Sequence, residues 1–183
     1  AIANATDLEV ASDGLAFPPA STRELPAGQA ARAEAAGMTG TPMVETVSCL
    51  EADGRPVPDD LRWGVYVVFR ASSDYVAGCF RDYGLTTDPT GRFAALWRPY
   101  HLIGLELGIS VADMALRGEP TGAPWRWAGD VAATAKRDLA AGETLDGEGG
   151  YTVYGRLVHA PLAAEEGLLP IGLAHGVTLK RAA

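Results

Sequence analysis

Residues 61–71 read LRWGVYVVFRA, the strongest strand pattern in the chain. The segment is rich in Val, Tyr and Phe, the β-branched and aromatic residues that strands favour. Before it, ADGRPVPDD (52–60) carries the hairpin-type turn signal Asp53-Gly54. MVETVSCLE (43–51) alternates as well, so we predict a strand on each side of this turn.

The chain after this strand alternates between helix and strand signals. Ser73 and Asp74 predict the start of a helix that Gly84 closes, and FAALWR (93–98) predicts a further strand. A long helix is expected after Pro99, with Gly118 as its stop. Its apolar residues lie on more than one face, so this helix is predicted to be largely buried.

The two ends of the chain differ in their predicted secondary structure. A short helix is predicted within STRELPAGQAARAEAAG (21–37), and the region 119–130 has the composition of a linker. Strand-like runs and glycine-containing turns then follow to the C-terminus. We predict an α+β fold: residues 1–127 form a mixed or antiparallel sheet with helices, and residues 128–183 form a small all-β domain.

Composition excludes several classes of protein. Fifteen Lys and Arg residues against 23 Asp and Glu residues leave a net charge of −8 in 183 residues, without the basic stripe of a nucleic-acid binder. No apolar run reaches the ~18 residues of a membrane span, and no signal peptide is visible. Cys49 and Cys79 have no metal-type spacing, which favours buried thiols in a reducing cytoplasm. Because the chain opens without Met, we expect a fragment or a processed product.

VAATAKRDLAAGETL (131–145) resembles the SAF domain, a small β-clip module. Gly142 is expected to turn the chain there, while Leu139 and Leu145 fill a small core. Lys136, Arg137 and Asp138 belong to the same signature; turn chemistry and surface charge are the simpler account of them.

A wider resemblance covers nearly the whole chain. DLRWGVYVVF, RPYHLIGLELGISV, ALRGEPTGAP, ATAKRDLAAGETLDGEGGYTVYG and LPIGLAHGVTLKR, in this order, resemble bacterial homoserine-dehydrogenase-like, reductoisomerase-like oxidoreductases with a C-terminal SAF domain. That resemblance implies an NAD- or NADP-dependent enzyme and a small hydroxylated, anionic carbonyl substrate. It also implies a preceding Rossmann domain. No G-x-G-x-x-G lies in this chain, so we expect the chain alone to be inactive.

WRPYHLIGLELG (97–108) is the most promising site segment. With the resemblance, Arg98 is expected to hold an anionic group, because a guanidinium binds oxyanions bidentately. Tyr100 and His101 would bind hydroxyls or carry protons. The alternative is structural: Arg98 pairs with a carboxylate, Tyr100 packs, and His101 satisfies a local backbone group.

Four further residues complete the predicted site. Glu106 lies in an apolar helix, where a carboxylate must be paired or functional, and we consider it for catalysis. Arg62 and Trp63 are candidates for substrate binding, although a strand-edge cation beside a core aromatic is the simpler reading. Asn4 in ANAT (3–6) is a candidate cofactor contact.

No His, Cys, Asp or Glu spacing predicts a metal site, and whether the intact enzyme needs a divalent ion stays open. Two other functions are considered: a stand-alone SAF-containing module that binds a sugar acid or polyol, and an oligomerisation scaffold. In each case the long apolar helix predicts a homo-oligomer.

Overall fold

The computed structural model describes residues 1–11, 14–38 and 40–183. Its helices and strands, in chain order, are α1 (Ile2–Thr6), α2 (Leu25–Ala35), β1 (Val65–Arg70), α3 (Asp74–Asp82), β2 (Thr86–Thr87), β3 (Phe93–Arg98), α4 (Ile103–Arg117), β4 (Gly129–Ala135), β5 (Val153–His159) and α5 (Ala160–Glu165), with a 3₁₀ helix at Ile171–Leu173. The predicted α+β class is confirmed, and both sheets found in the described residues are antiparallel.

The chain divides into two compact units. One unit comprises Ala1–Ala16, Pro42–Glu45 and Pro124–Ala183, and the other comprises Phe17–Thr41 and Thr46–Ala123. The first unit therefore takes residues from both ends of the chain. The domain boundary near residue 128 stays a prediction.

The sheet of the second unit has the strand order β1-β3-β2. Val65 of β1 pairs with Arg98 of β3, and the pairing runs to Arg70 opposite Phe93. One face carries Tyr66, Val68 and Ala95, which pack with Leu25 of α2 in a core cluster. On the other face, Phe69 and Ala94 pack with Phe80 of α3. The predicted strands at 61–71 and 93–98 are confirmed within their observed bounds.

Two helix ends follow the sequence signals. The Ser73 side chain accepts a hydrogen bond from the backbone N–H of Val76 at the start of α3, which is the usual N-cap contact. Gly118 adopts φ 69° at the end of α4, where a left-handed residue terminates a helix and glycine does so without a steric penalty. These stop and start signals are local, so they do not depend on the rest of the fold.

The strand predicted at 43–51 is wrong. Residues 43–51, all of which are described, form only isolated bridges, such as Ser48 with Pro19 and Leu50 with Pro56. Prolines on the opposing segments explain this, because a proline cannot donate to a ladder and interrupts extended pairing. Alternation in this segment therefore reflects half-burial without a sheet.

The long helix also differs from its prediction. It begins at Ile103 rather than directly after Pro99, and none of its residues is buried within this chain. Its N-cap is Leu102, whose side chain cannot accept a capping hydrogen bond. Apolar character alone predicted burial, whereas no element among the described residues buries this helix.

In the first unit, β4 pairs antiparallel with β5 over their full lengths. Leu139 and Leu145 are buried in a cluster with Val153, Ile171 and Ala174, as predicted from the sequence. Gly142 adopts φ 86°, which confirms the expected turn. The 3₁₀ helix at Ile171–Leu173 lies inside the strand-like run expected at 167–181, and α5 lies between two such expected runs.

Candidate active site

Four predicted site residues converge where β3 leads into α4. Arg98 ends β3, Tyr100 and His101 lie in the connection, and Glu106 occupies the first turns of the helix. Nη2 of Arg98 is 2.7 Å from Oε1 of Glu106, and Nδ1 of His101 is 2.9 Å from Oε2 of the same carboxylate. We call Arg98, Tyr100, His101 and Glu106 the Arg98 cluster.

Glu106 is the centre of this cluster. Its side chain is 23% exposed, and each of its carboxylate oxygens faces a different basic group. Oε1 is buried and accepts no well-directed hydrogen bond among the described residues, so the ion pair with Arg98 compensates its charge. Oε1 of Glu106 can therefore still accept a hydrogen bond, either from a bound ligand or from Arg98 after a small side-chain movement.

Arg98 is held from a second side by an aromatic ring. Its guanidinium carbon lies 4.7 Å from the centroid of the Tyr100 ring, which is a cation–π geometry. The Arg98 side chain is 54% exposed. A half-exposed guanidinium with a fixed orientation can present its remaining N–H donors to an oxyanion.

His101 is oriented by Glu106. A hydrogen bond between Nδ1 and a carboxylate oxygen requires the proton to reside on Nδ1, which leaves Nε2 to exchange a proton with another molecule. Nε2 has no partner among the described residues. In many acid–base sites a carboxylate orients an imidazole ring in this way.

Arg62 and Trp63 lie near the same end of the sheet, but neither is tied to the Arg98 cluster. Arg62 binds Asp60 through Nη2 at 3.0 Å. Trp63 is 78% exposed and adopts φ 65°. Gly64 beside it lies so close to β3 that an added Cβ would be 2.6 Å from the carbonyl oxygen of Arg98. Their substrate-binding roles stay predictions.

Asn4 lies in the other unit, and its side chain is engaged with the backbone. Oδ1 accepts hydrogen bonds from the N–H groups of Ala128 and Gly129, while Nδ2 donates to the carbonyl of Gly129. These contacts tie α1 to the beginning of β4. The predicted cofactor contact is not tested by this geometry and stays a prediction.

A cavity of 530 Å³ in the second unit was not anticipated from the sequence. Asp74, Arg81, Asp88 and Arg92 are among its lining residues, and it includes none of the predicted site residues. Arg92 pairs with Asp74. Burial raises the pKa of Asp88, but hydrogen bonds from Thr90 and from the backbone outweigh it and lower that pKa overall. Asp88 accepts hydrogen bonds from Thr90 and from the backbone N–H of Phe93, and these contacts hold the turn between β2 and β3.

Two connections among the described residues of the second unit lead from a strand into a helix. The connection from β1 to α3 is Ala71-Ser72-Ser73, and the connection from β3 to α4 contains no glycine. Neither resembles the glycine-rich turn that seats a pyrophosphate. Among the described residues, no group of three or more His, Cys, Asp or Glu side chains is placed to hold a metal ion. In the same part of the chain, no helix has the length and apolar character to cross a membrane.

Comparison with known proteins identifies the class. The family model described as the catalytic domain of oxidoreductase DRL matches residues 1–107. The chain therefore belongs to this family, and its matched region is an oxidoreductase catalytic domain. No curated protein matches the chain.

All seven predicted site residues fall inside the matched region, which ends one residue after Glu106. The likeness of residues 131–145 to a SAF domain lies outside it and stays a prediction, as does the homoserine-dehydrogenase-like grouping.

Proposed function

We propose that the Arg98 cluster is the substrate site of an NAD(P)-dependent oxidoreductase that acts on a small hydroxylated, anionic carbonyl compound. The observation that carries the proposal is the carboxylate of Glu106 between Arg98 and His101, at 2.7 and 2.9 Å. The redox class comes from the matched catalytic domain. The nature of the substrate is argued from the charges and donors of the cluster.

Arg98 binds the anionic group of the substrate in this proposal. An incoming carboxylate or phosphate competes with Glu106 for the guanidinium, and the Tyr100 ring keeps the guanidinium plane in place during the exchange. A charge-assisted contact of this kind contributes roughly 1.5–3 kcal/mol. Selectivity for anionic over neutral substrates would follow from this one side chain.

His101 moves the proton. When a carbonyl is reduced, its oxygen gains negative charge and must receive a proton. The imidazolium form of His101, protonated on both nitrogens, delivers the proton from Nε2 and returns to the neutral form with its proton on Nδ1. Glu106 holds the ring through Nδ1, so its role is to position His101. A nicotinamide supplies the hydride when it is bound, and we assign no residue of this chain to that cofactor.

The test uses the complete enzyme with NADPH or NADH and a panel of phosphorylated and carboxylated hydroxy-carbonyl compounds. Arg98→Ala is expected to lower kcat/KM by about 10- to 150-fold, the equivalent of one charge-assisted contact. His101→Ala should lower kcat more than it raises KM. The control is Arg156→Ala, which removes an exposed arginine in the other unit.

Wild-type kcat/KM in folded Arg98→Ala and His101→Ala variants would contradict the site assignment. The binding-module alternative predicts a different result: saturable binding of a sugar acid or polyol to residues 1–183, lost on changes within 128–183 and indifferent to Arg98.

A further inference from the structure

The cavity of about 530 Å³ in the second unit lies between helix α3 and the turn that joins β2 to β3. Leu85 and residues 87–92 form one wall. The other wall consists of α3 residues that share one face of the helix at three- and four-residue spacing: Asp74, Ala77, Gly78 and Arg81. The volume lies within the ~300–1,000 Å³ range of sites that hold small molecules.

Gly78 keeps this cavity open. It lies in the interior of α3, where glycine is less favourable than alanine. Outside the helix backbone, an added Cβ at Gly78 would have only Nη2 of Arg81 within 4 Å, at 3.9 Å. Close packing therefore does not require a glycine at this position. The missing side chain leaves space beside the Arg81 guanidinium.

Arg81 carries a positive charge that this chain does not compensate. Its side chain forms no ion pair or hydrogen bond with the residues that the structure describes. The hydroxyl of Thr87, in the opposite wall, likewise has no partner within the described part of the chain. A guanidinium and a hydroxyl with free donors are suited to bind an oxyanion.

Asp88 does not compete for these donors. Its side chain is buried, and its carboxylate accepts hydrogen bonds from the Thr90 hydroxyl and from the backbone N–H groups of Thr90 and Phe93. Both carboxylate oxygens are therefore engaged by the turn to which Asp88 belongs.

Arg92 supplies a second guanidinium to the cavity. It pairs with Asp74, but the Asp74 side chain is 88% exposed and that of Arg92 is 49% exposed. An exposed ion pair of this kind contributes little to stability, so an incoming anion can replace it. Arg81 and Arg92 together offer more N–H donors than the protein itself occupies.

We propose that this cavity binds a small phosphorylated molecule whose phosphate group is held by Arg81 and Arg92. A phosphate monoester carries about two negative charges at neutral pH, so it can engage both guanidinium groups, whereas a carboxylate carries one. Apolar side chains for the rest of the ligand lie in the same cavity: Ala77, Leu85 and Pro89. A free phosphate ion would leave these contacts unused.

This site is separate from the Arg98 cluster. Arg92 directly precedes β3 and Arg98 ends it, so the six residues of the strand lie between the two guanidinium positions. At ~3.3 Å per residue, that separation is roughly 20 Å. One small molecule cannot contact both sites, and the proposal therefore goes beyond the proposed function without resting on it.

Isothermal titration calorimetry of residues 1–183 with glycerol 3-phosphate tests the inference. We expect saturable binding to the wild-type chain and about tenfold or weaker binding to Arg81→Gln and to Arg92→Gln, because each loses a charge-assisted contact. Inorganic phosphate should bind more weakly, and glycerol should not bind. The matched control is Arg117→Gln, which removes a cation from the last turn of α4, as Arg81→Gln does in α3, and should leave binding unchanged.

Gly78→Leu tests the cavity itself. The added side chain has only the mobile end of Arg81 near it, so the variant should fold, which thermal unfolding can verify. We expect it to abolish binding of glycerol 3-phosphate by filling the space. Gly28→Leu in α2 is the control, since an added Cβ there meets nothing within 4 Å.

No saturable binding of glycerol 3-phosphate to the wild-type chain would overturn the inference. Binding that survives both Arg81→Gln and Gly78→Leu would overturn it as well, and its loss in Arg98→Ala would place the anion at the Arg98 cluster instead. Inorganic phosphate that binds as tightly as glycerol 3-phosphate would show an adventitious ion only. None of these measurements uses redox activity, so their failure is distinguishable from failure of the proposed function.

Discussion

Two carboxylates, one in each unit, each bind several neighbouring groups at once. Glu106 joins a residue at the end of a strand to one in the following connection. Asp146 plays a comparable structural role in the other unit, where it accepts hydrogen bonds from the Thr152 hydroxyl and from backbone N–H groups of 151 and 152. Each carboxylate can be tested by removing its charge while keeping its shape.

Glu106→Gln should lower kcat about tenfold or more with little change in KM, because His101 loses the group that holds its tautomer. Imidazole ¹⁵N NMR should show loss of the Nδ1-protonated form at His101, identified by comparison with His101→Gln. Glu106→Asp should recover part of the activity. An unchanged tautomer together with lowered kcat would mean that Glu106 acts in some other way.

Asp146→Asn should destabilise the fold at neutral pH but not in strong acid. The Thr152 hydroxyl, followed by the N–H groups of Tyr151 and Thr152, lowers the pKa of Asp146 from 3.8 to about 2. A lowered folded-state pKa contributes stability that is present above the unfolded value and lost as pH falls from about 4 to about 2. Urea unfolding at pH 7, 4 and 2 measures the difference from wild type.

The control for this measurement is Asp138→Asn at an exposed position. A gap between wild type and Asp146→Asn that persists undiminished at the lowest pH would show that the lost stability does not come from the carboxylate charge.

Among the elements, the paired ends of β1 and β3 determine where the Arg98 cluster lies. Val65 opposite Arg98 is the last pair of the register, and the turn at Leu61–Gly64 folds against it. The approach at Gly64 is tight, since an added Cβ would be 2.6 Å from the Arg98 carbonyl oxygen and 2.7 Å from Cδ1 of Leu61. Backbone cannot give way as a flexible side chain can.

Gly64→Ala is therefore expected to cost about 1–3 kcal/mol, the usual penalty of overpacking. Urea unfolding measures it, and the expected loss of activity in the complete enzyme would show that the strand end has moved. Gly28→Ala inside α2 is the matched control: it meets open space and should stabilise by about 0.5–1 kcal/mol. Equal effects of the two changes would refute the steric argument.

The molecule as a whole consists of two units, and the matched catalytic domain spans residues of both. The second unit supplies the Arg98 cluster, while the first contains Asn4 and the segment that resembles a SAF domain. Neither contains a strand–glycine-rich turn–helix arrangement among its described residues. This organisation predicts that substrate recognition and cofactor binding are separable.

Residues 1–183 alone should bind neither NADH nor NADPH, because they offer no phosphate-binding turn. Isothermal titration calorimetry should show no saturable heat with either nucleotide, and the complete enzyme serves as the positive control. Binding in the micromolar range by residues 1–183 would reveal a nucleotide site unlike the Rossmann turn.

How far the sequence predicts this protein depends on the range of the interactions involved. The sequence predicted three local features correctly, because each depends on a few neighbouring residues: the N-cap at Ser73, the turn at Gly142 and the helix end at Gly118. The sequence also predicted the strands at Val65–Arg70 and Phe93–Arg98, since runs of apolar, β-branched and aromatic residues are a local pattern. The α+β class follows from these local signals.

The sequence did not predict which segments of the chain pack against a given helix or strand. Residues 43–51 alternate like a strand, yet the prolines opposite them allow only single bridges. Helix α4 has the apolar composition of a core helix, yet its half-buried residues are the polar ones, Glu106, Ser110 and Asp113. Sequence alone placed Arg98 at the end of a strand and Tyr100, His101 and Glu106 in the helix predicted after Pro99. Only the tertiary structure shows that the Glu106 carboxylate contacts both Arg98 and His101. The backbone dihedral angles of the connection between β3 and α4 set this arrangement, and no local sequence pattern specifies them.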